Sequence, residues 1–142
     1  PMLRQMAQLG MLNTKFMGGD GLCTEKLVEQ AAKAPTLVNV YCGVGGASVN
    51  KMPGGKAWKA RYDAKYPGQY QIYAPYVYDA TMVLADAMQR AGSADPKVYL
   101  PFLRKTNYQG ISASIQFDAQ GELLHPAISI STYKANQKTP LD

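Results

Sequence analysis

Metal ligands and catalytic thiols are scarce in this chain, which has one histidine and two cysteines among its 142 residues. A metal site needs more ligands than these, and His125 is far from both cysteines in the sequence. A cysteine nucleophile needs a nearby base, and none is evident beside Cys23 or Cys42. No serine–histidine–aspartate set and no paired carboxylates emerge. We therefore expect no metal, no cofactor and no catalytic residue, and we predict that the chain is not an enzyme.

Long apolar runs are also absent. No stretch approaches the roughly 20 consecutive apolar residues that span a bilayer. The first residues, Pro1–Arg4, lack the features of a secretory signal peptide. The composition, with 46% hydrophobic and 18% charged residues, is typical of a globular chain of one domain. We expect a mature or truncated product that carries no targeting segment of its own.

Positive charge exceeds negative charge, with 15 lysines and arginines against 10 aspartates and glutamates. Much of the excess lies between residues 51 and 65, on a predicted helix that also carries Asp63. Such a mixed helix face is typical of a solvated surface rather than of a nucleic-acid site. The aromatic residues Trp58, Tyr62 and Tyr66 are spaced by four and predict a buried stripe. We expect no nucleic-acid partner.

Two glycine-rich loops superficially resemble phosphate-binding loops. Gly43–Gly46 does not have the GxGxxG spacing, and no helix follows it at once. Pro53–Lys56 does not have the Walker A spacing, and Ala57 stands where that motif has serine or threonine. Neither loop predicts nucleotide binding.

A third glycine-rich stretch does predict a site. A short apolar strand at Lys15–Met17 runs into Gly18, Gly19, Asp20 and Gly21. The glycines allow positive φ and the close approach of a ligand, and Asp20 follows the carboxyl end of a strand, where open α/β sheets bind ligands. A carboxylate held there suits a cationic group such as an α-ammonium. A tight turn with a solvated aspartate is the alternative, because Asp and Gly are common turn residues.

The two cysteines leave two interpretations open. An even number fits one disulfide in an oxidising compartment, which would stabilise the fold by roughly 3 kcal/mol. Two unrelated buried thiols fit the residues equally well.

Helix and strand patterns alternate along the chain and predict the α/β class. Helical periodicity predicts helices at residues 2–10, 24–33, 57–66, 74–91 and from 95 onward. Strand patterns occur at residues 15–17, 37–42, 111–117 and 127–133, and the last two predict an antiparallel β tail.

Several residues predict where these elements begin, end and bury their faces. Thr24 is expected to cap the second helix, and Pro35 to end it. Asp95 is expected to cap the last helix, which Pro101 should kink or end early. Gly92 should terminate the long helix, whose core stripe is predicted to be Val77, Thr81, Leu84, Ala85 and Met88.

Four stretches, in this order and spacing, together resemble the periplasmic branched-chain amino-acid-binding proteins. They are Lys15–Gly21, Ile72–Ala80, Ala91–Pro96 and Ile115–Gly121. No single stretch is specific, but the ordered set covers residues 2 to 134. These proteins are the substrate-binding components of ABC importers and have the type I fold, in which two Rossmann-like lobes close on an amino acid.

The resemblance implies roles for individual residues. Asp20 stands where the family has an acidic residue, often glutamate, that holds the ligand's α-ammonium, and Gly19 and Gly21 flank it. Tyr73 stands where the family has an aromatic residue that packs on the ligand's side chain. Branches of the family have cysteines at these two places, which implies a Cys23–Cys42 disulfide in the periplasm.

The resemblance also implies a division of the chain between the lobes. Residues 1–43 and 119–142 would belong to lobe two, and residues 44–118 to lobe one. Family members are more than twice as long, so we expect a C-terminal portion whose cleft is completed by the missing N-terminal part of the same protein or by self-association. The parent would be secreted to the periplasm, with a signal peptide outside this chain.

The expected function is the binding of a branched-chain or related amino acid for an ABC permease of the inner membrane. The alternative is a type I receptor domain that senses an amide or another small ligand, since this fold does not determine the function. Asp79 lies in the long helix and is expected to be structural.

Overall fold

The computed structural model describes residues 1–31 and 34–141 and contains two compact units. One, here the sheet unit, comprises Pro1–Gly46 and Ala127–Asp142; the other, here the helical unit, comprises Ala47–Pro126. The predicted assignment of the chain to two lobes of a clamshell stays a prediction. The helices and strands are, in chain order, α1 (Met2–Gln8), β1 (Phe16–Gly18), α2 (Lys26–Gln30), β2 (Val40–Gly45), α3 (Gly55–Lys65), α4 (Ala74–Ala91), α5 (Pro96–Leu103), β3 (Asn107–Gln109), β4 (Ser114–Gln116), β5 (Ile128–Lys134) and β6 (Gln137–Pro140).

The sheet unit is built on four strands in the order β1-β2-β5-β6. β1 is parallel to β2, with Phe16 opposite Val40 and Gly18 opposite Cys42. β5 pairs with β2 and with β6, in both cases antiparallel. This mixed sheet and its antiparallel C-terminal end confirm the predicted α/β class with a β tail.

The core of the sheet unit covers one face of this sheet. Its buried residues come from α1, α2, the strands and a 3-10 helix at Pro35–Asn39, and they include Leu3, Met6, Val28, Leu37, Val40, Cys42 and Tyr133. The buried Thr36 hydroxyl donates to the Leu3 carbonyl at 2.9 Å, which ties the 3-10 helix to α1. Side chains alternate along a strand, so Met17 and Ile128, with 63% and 75% of their surface exposed, lie on the opposite sheet face.

The segment between β1 and β2 differs from its prediction. The cap position of α2 is Glu25 rather than Thr24, and no side chain caps it. The predicted helix end near Lys33 lies outside the described residues. Pro35 begins a 3-10 helix, and β2 therefore starts at Val40 rather than at Leu37. The physical reason is burial: Thr36 and Leu37 are inserted into the core, which overrides the strand propensity of their sequence.

In the helical unit, several local predictions are confirmed. α4 spans Ala74–Ala91, and Gly92 ends it in the left-handed conformation at φ +64°. The Asp95 carboxylate accepts from the Lys97 amide at 2.9 Å and caps α5. α5 ends at Leu103, two residues after Pro101, in agreement with the expected early end.

The predicted core stripe of α4 is wrong. The buried residues of this helix are Pro75, Asp79, Val83 and Ala87, whereas Val77 has 61% of its surface exposed. α4 is apolar on two opposite faces, and only the face that carries Asp79 is covered within the helical unit. The aromatic stripe of α3 is likewise only partly buried, because Trp58 is in the core while Tyr66 is exposed.

The predicted pairing of the two tail strands is also wrong. β4 pairs with β3, which the sequence pattern did not predict, and β5 pairs with β2 and β6. Within β5, the residues buried are Ser131, Thr132 and Tyr133, while Ile128 and Ile130 are exposed. No helix in the described part of the chain is both long enough and apolar enough to cross a membrane.

Candidate functional site

The candidate site starts at the carboxyl end of β1. A single 3-10 turn, Asp20–Leu22, follows the strand, and the Asp20 Oδ1 atom accepts from the Gly21 amide at 2.8 Å. The turn is closed by hydrogen bonds from Leu22 N to Gly19 O at 3.1 Å and from Cys23 N to Asp20 O at 2.9 Å. The Asp20 side chain is exposed. The sequence therefore places a carboxylate at the strand end, as predicted.

The three glycines beside Asp20 have different reasons to be glycine. None of them is among the residues with positive φ, so the expected left-handed backbone is not used here. A Cβ at Gly18 would lie 2.4 Å from the Leu22 Cδ1 atom, so this glycine makes room for Leu22. A Cβ at Gly19 or Gly21 would have no atom within 4 Å apart from its chain neighbours, so there is room for a side chain at both positions within the described residues.

A disulfide links the end of the Asp20 turn to the neighbouring strand. The Sγ atoms of Cys23 and Cys42 are bonded, and both residues are fully buried. Cys42 lies in β2 opposite Gly18, the last residue of β1, so the bond ties the turn to the strand beside the one that it follows. The pairing implied by the resemblance is thus present in the structure.

The Tyr133 hydroxyl holds the same segment from β5. It lies 2.6 Å from the Leu22 carbonyl oxygen and 3.0 Å from that of Thr24, so its single proton is shared between two acceptors. Tyr133 has only 1% of its surface exposed. Burial, reinforced by the Glu25 carboxylate and opposed by the hydrogen bond to Thr24, raises the pKa of the Tyr133 hydroxyl to about 12. The hydroxyl is therefore a neutral donor at physiological pH.

Lys138 holds the segment from β6. Its Nζ atom donates to the Cys23 carbonyl at 3.3 Å and lies 3.9 Å from the Glu25 carboxylate. Sequence patterns did not identify Lys138 or Tyr133 as site residues, since both are more than a hundred positions from Asp20. The only available signal was the alternation of β5, which puts Tyr133 on the same face as Ser131.

Tyr73, the predicted aromatic of the site, occupies the cap position of α4 and has 44% of its surface exposed. Its neighbour Tyr76 donates its hydroxyl to the Ala47 carbonyl at 2.5 Å, which fixes the first turn of α4 to the start of the helical unit. Burial raises the pKa of Tyr76 to about 12. Tyr73 and Asp20 belong to different units, and their combination in one site stays a prediction.

Asp79 has a structural role, as expected. Its buried carboxylate accepts from the Ile111 amide at 3.0 Å, from the Ser112 amide at 2.8 Å and from the Ser112 hydroxyl. These bonds shape the turn between β3 and β4. Among residues 1–31 and 34–141, no group of histidine, cysteine, aspartate and glutamate could hold a metal ion.

Comparison with known proteins identifies a family. Residues 1–138 match the family model described as periplasmic binding protein. The chain is 28% identical over 127 residues to the leucine-, isoleucine-, valine-, threonine- and alanine-binding protein of Pseudomonas aeruginosa, over 86% of this chain and 32% of that protein. It is 29% identical over 121 residues to Leu/Ile/Val-binding protein homolog 2 of Brucella abortus, over 84% of this chain and 31% of that protein.

Solved structures agree with this match. The leucine-binding protein of Thermotoga maritima aligns over 99% of this chain and 40% of that chain, with a TM-score of 0.81 and 26% identity. The isoleucine complex of a branched-chain amino-acid transporter substrate-binding protein from Streptococcus pneumoniae shares the fold, with a TM-score of 0.74 and 23% identity over 96% of this chain and 38% of that chain.

The chain spans about a third of the length of the curated relatives that it matches. The family match covers nearly the whole chain, and the likeness to solved structures confirms the predicted type I fold. The chain belongs to the periplasmic binding protein family.

Proposed function

We propose that this chain is part of an extracytoplasmic substrate-binding protein of an ABC importer, and that it binds a branched-chain or related amino acid. Asp20 holds the α-ammonium of the ligand, and Gly19 and Gly21 let the ligand approach its carboxylate. Tyr73 packs on the ligand's side chain. The protein is not an enzyme and delivers its ligand to a permease of the inner membrane.

The observation that carries this proposal is the Asp20 carboxylate itself. It is exposed at the carboxyl end of a strand, on a turn that a disulfide and a buried tyrosine fix in place. Such a carboxylate binds a primary ammonium by charge-assisted hydrogen bonds, which become strong when the site excludes water. The matched relative from Pseudomonas is named as a binding protein for leucine, isoleucine, valine, threonine and alanine, and that from Brucella as a Leu/Ile/Val-binding protein homolog, which supports an amino acid as the ligand.

The cleft needs more polypeptide than this chain supplies. The match covers about a third of the relatives, and the two units leave apolar side chains exposed on one sheet face (Met17, Ile128) and on one face of α4 (Val77, Leu84). Exposed apolar faces of this kind are typical of interfaces. We propose that the N-terminal part of the same protein covers them, with a second copy of this chain as the alternative occupant.

The direct test is an amino-acid titration with and without the Asp20 charge. Asp20→Asn keeps the shape of the side chain and removes its charge. We expect it to weaken L-leucine binding at least about 30-fold, since leaving a buried ammonium unpaired costs about 2–5 kcal/mol. Asp86→Asn is the matched control, because Asp86 pairs with Arg90 on the surface of α4, where ion pairs contribute little.

The native mass of the titrated sample shows whether the chain binds leucine alone or together with a completing partner. A mass above the 15.5 kDa of one chain indicates a completing partner, whose identity peptide mass spectrometry reports. Equal leucine affinity of the wild type and Asp20→Asn would refute the assigned role of Asp20. A sample of the completed, two-lobed protein that binds no amino acid would refute the function.

A further inference from the structure

One disulfide and the hydrogen bonds of two side chains connect residues 20–24 to the sheet. The disulfide joins Cys23 to β2, the Tyr133 hydroxyl reaches the carbonyls of Leu22 and Thr24 from β5, and the Lys138 ammonium reaches the Cys23 carbonyl from β6. Three strands of the sheet thus hold one short segment. We call this arrangement the Asp20 clasp.

We propose that Tyr133 is a positioning residue that acts through the clasp to orient the Asp20 carboxylate toward the ligand's ammonium, with Lys138 in a supporting role. This inference rests on the proposed function and adds to it two residues that are far from Asp20 in the sequence. Neither residue touches the ligand. Both act on the backbone of the turn that carries Asp20.

The Asp20 turn cannot hold its shape by local forces. It is one 3-10 turn of three residues, closed by two backbone hydrogen bonds at 2.9 and 3.1 Å. Turns this short form weakly on their own, because fixing the backbone costs more free energy than the few hydrogen bonds return. Its conformation therefore depends on tertiary attachments, and the clasp supplies them.

The hydroxyl of Tyr133 contributes something that the disulfide does not. The disulfide fixes the position of Cys23 but leaves the peptide planes on either side free to rotate. The hydroxyl binds the Leu22 carbonyl, in the peptide plane that joins Leu22 to Cys23, and the Thr24 carbonyl, in the plane that joins Thr24 to Glu25. The plane between these two contains the Cys23 carbonyl, which Lys138 binds. The N–H of the Leu22–Cys23 plane belongs to Cys23 and donates to the Asp20 carbonyl at 2.9 Å, so the orientation of this plane is coupled to the backbone that carries the Asp20 side chain.

Holding a carboxylate in its binding geometry before the ligand arrives raises affinity, because less conformational entropy is lost on binding. The gain is specific to the group that the carboxylate binds. Loosening the turn should therefore weaken the ammonium contact more than the contacts of the ligand's side chain.

The test compares two ligands that differ only at the ammonium. L-leucine has the amino group, and (S)-2-hydroxy-4-methylpentanoate has a hydroxyl in its place. The ratio of their dissociation constants isolates the ammonium contact. Tyr133→Phe keeps the buried ring and removes only the hydroxyl. Tyr41→Phe is the matched control, because Tyr41 lies in the same sheet between core residues Val40 and Cys42 and so faces the other side.

We expect Tyr133→Phe to reduce the ligand ratio about fivefold, which corresponds to one net hydrogen bond of about 1 kcal/mol, and Tyr41→Phe to leave it unchanged. Lys138→Gln should reduce the ratio in the same direction and by less. A purely structural role for Tyr133 would weaken both ligands equally and leave the ratio at its wild-type value, and that result would overturn the inference.

A second measurement needs no ligand. Amide hydrogen exchange of Leu22 and Cys23 should become faster in Tyr133→Phe, while exchange in β2 stays as in the wild type. Unchanged exchange at Leu22 and Cys23 would overturn the inference. If the wild type shows no preference for leucine over the hydroxy acid, the proposed function fails, and that failure is distinct from an unchanged ratio in Tyr133→Phe.

Discussion

The buried Asp79 carboxylate gives the sharpest stability prediction. Its Oδ1 atom accepts from the Ile111 amide, and its Oδ2 atom accepts from the amide and the hydroxyl of Ser112. In Asp79→Asn, one of these two positions becomes an NH2 group that faces an N–H donor. The less costly orientation places the NH2 at the Oδ1 position and loses the bond to Ile111.

The loss can be estimated from these contacts. A hydrogen bond to a charged group contributes about 1.5–3 kcal/mol, and the two bonds that survive become neutral and weaker. We expect Asp79→Asn to lower the free energy of unfolding of the helical unit by about 3 kcal/mol. That is a large share of the stability of a small unit. Gly110 adds a constraint, since a Cβ there would lie 2.4 Å from the Asp79 carboxylate, so the turn cannot simply move closer.

Urea denaturation followed by tryptophan fluorescence measures this change in the helical unit. Trp58 is the only tryptophan of the chain, and its ring lies 5.8 Å from that of Tyr78 on α4, next to Asp79 in the sequence. Asp86→Asn is the control, with an expected change below about 0.5 kcal/mol for an exposed ion pair. If Asp79→Asn and Asp86→Asn unfold at the same urea concentration, the assigned structural role of Asp79 is wrong.

Three further outcomes follow from the geometry. Gly55→Ala should unfold the helical unit or lower its urea midpoint strongly, because the new Cβ would lie 2.0 Å from the Val49 carbonyl oxygen, whereas Gly19→Ala should be tolerated. Replacing both cysteines by alanine should lower the free energy of unfolding by about 3 kcal/mol, since the bond closes a loop with a sequence separation of 19; thermal melts of oxidised and alanine forms check this. The pKa of Tyr133 is raised from 10 to about 12, so folding favours its neutral form, and this stability is complete below pH 10 and is lost as the pH rises through 12. Urea midpoints at pH 9 and 11.5 should therefore differ less in Tyr133→Phe than in the wild type. The difference that remains in Tyr133→Phe comes from Tyr76 and Tyr70, whose pKa values burial also raises.

Local signals in the sequence were sufficient where the local backbone decides the structure. Steric rules for proline and glycine predict where α4 begins and ends and why Gly92 is left-handed. One hydrogen bond from the Lys97 amide makes the Asp95 cap. The position of Asp20 at the end of β1 was predictable for the same reason, because a carboxylate among glycines after an apolar strand is a local pattern, while its role in binding stays a prediction. The role of Tyr133 was not predictable in this way, since it depends on the pairing of β5 with β2.

The start of β2 shows how packing overrides propensity. Leu37 and Val38 are good strand formers, yet they lie in a 3-10 helix that begins at Pro35. The proline fixes its own φ, and the buried Thr36 hydroxyl finds its acceptor on α1 rather than on a neighbouring strand. A buried hydroxyl without a partner would cost more than the strand propensity of two residues is worth.

The wrong core assignments have a common physical cause. Val77 and Leu84 were predicted to lie in a buried stripe, and both are exposed in the helical unit; Ile128 and Ile130, the apolar residues of an alternating strand, are likewise exposed in the sheet unit. The periodicity of a sequence records every surface that the folded protein covers, including surfaces covered by polypeptide outside this chain. In the proposed function, the exposed apolar residues on the sheet and on α4 are contact surfaces for such polypeptide. The chain spans about a third of the length of its relatives. Exposed apolar surfaces in such a chain are the physical basis for proposing that further polypeptide completes the cleft.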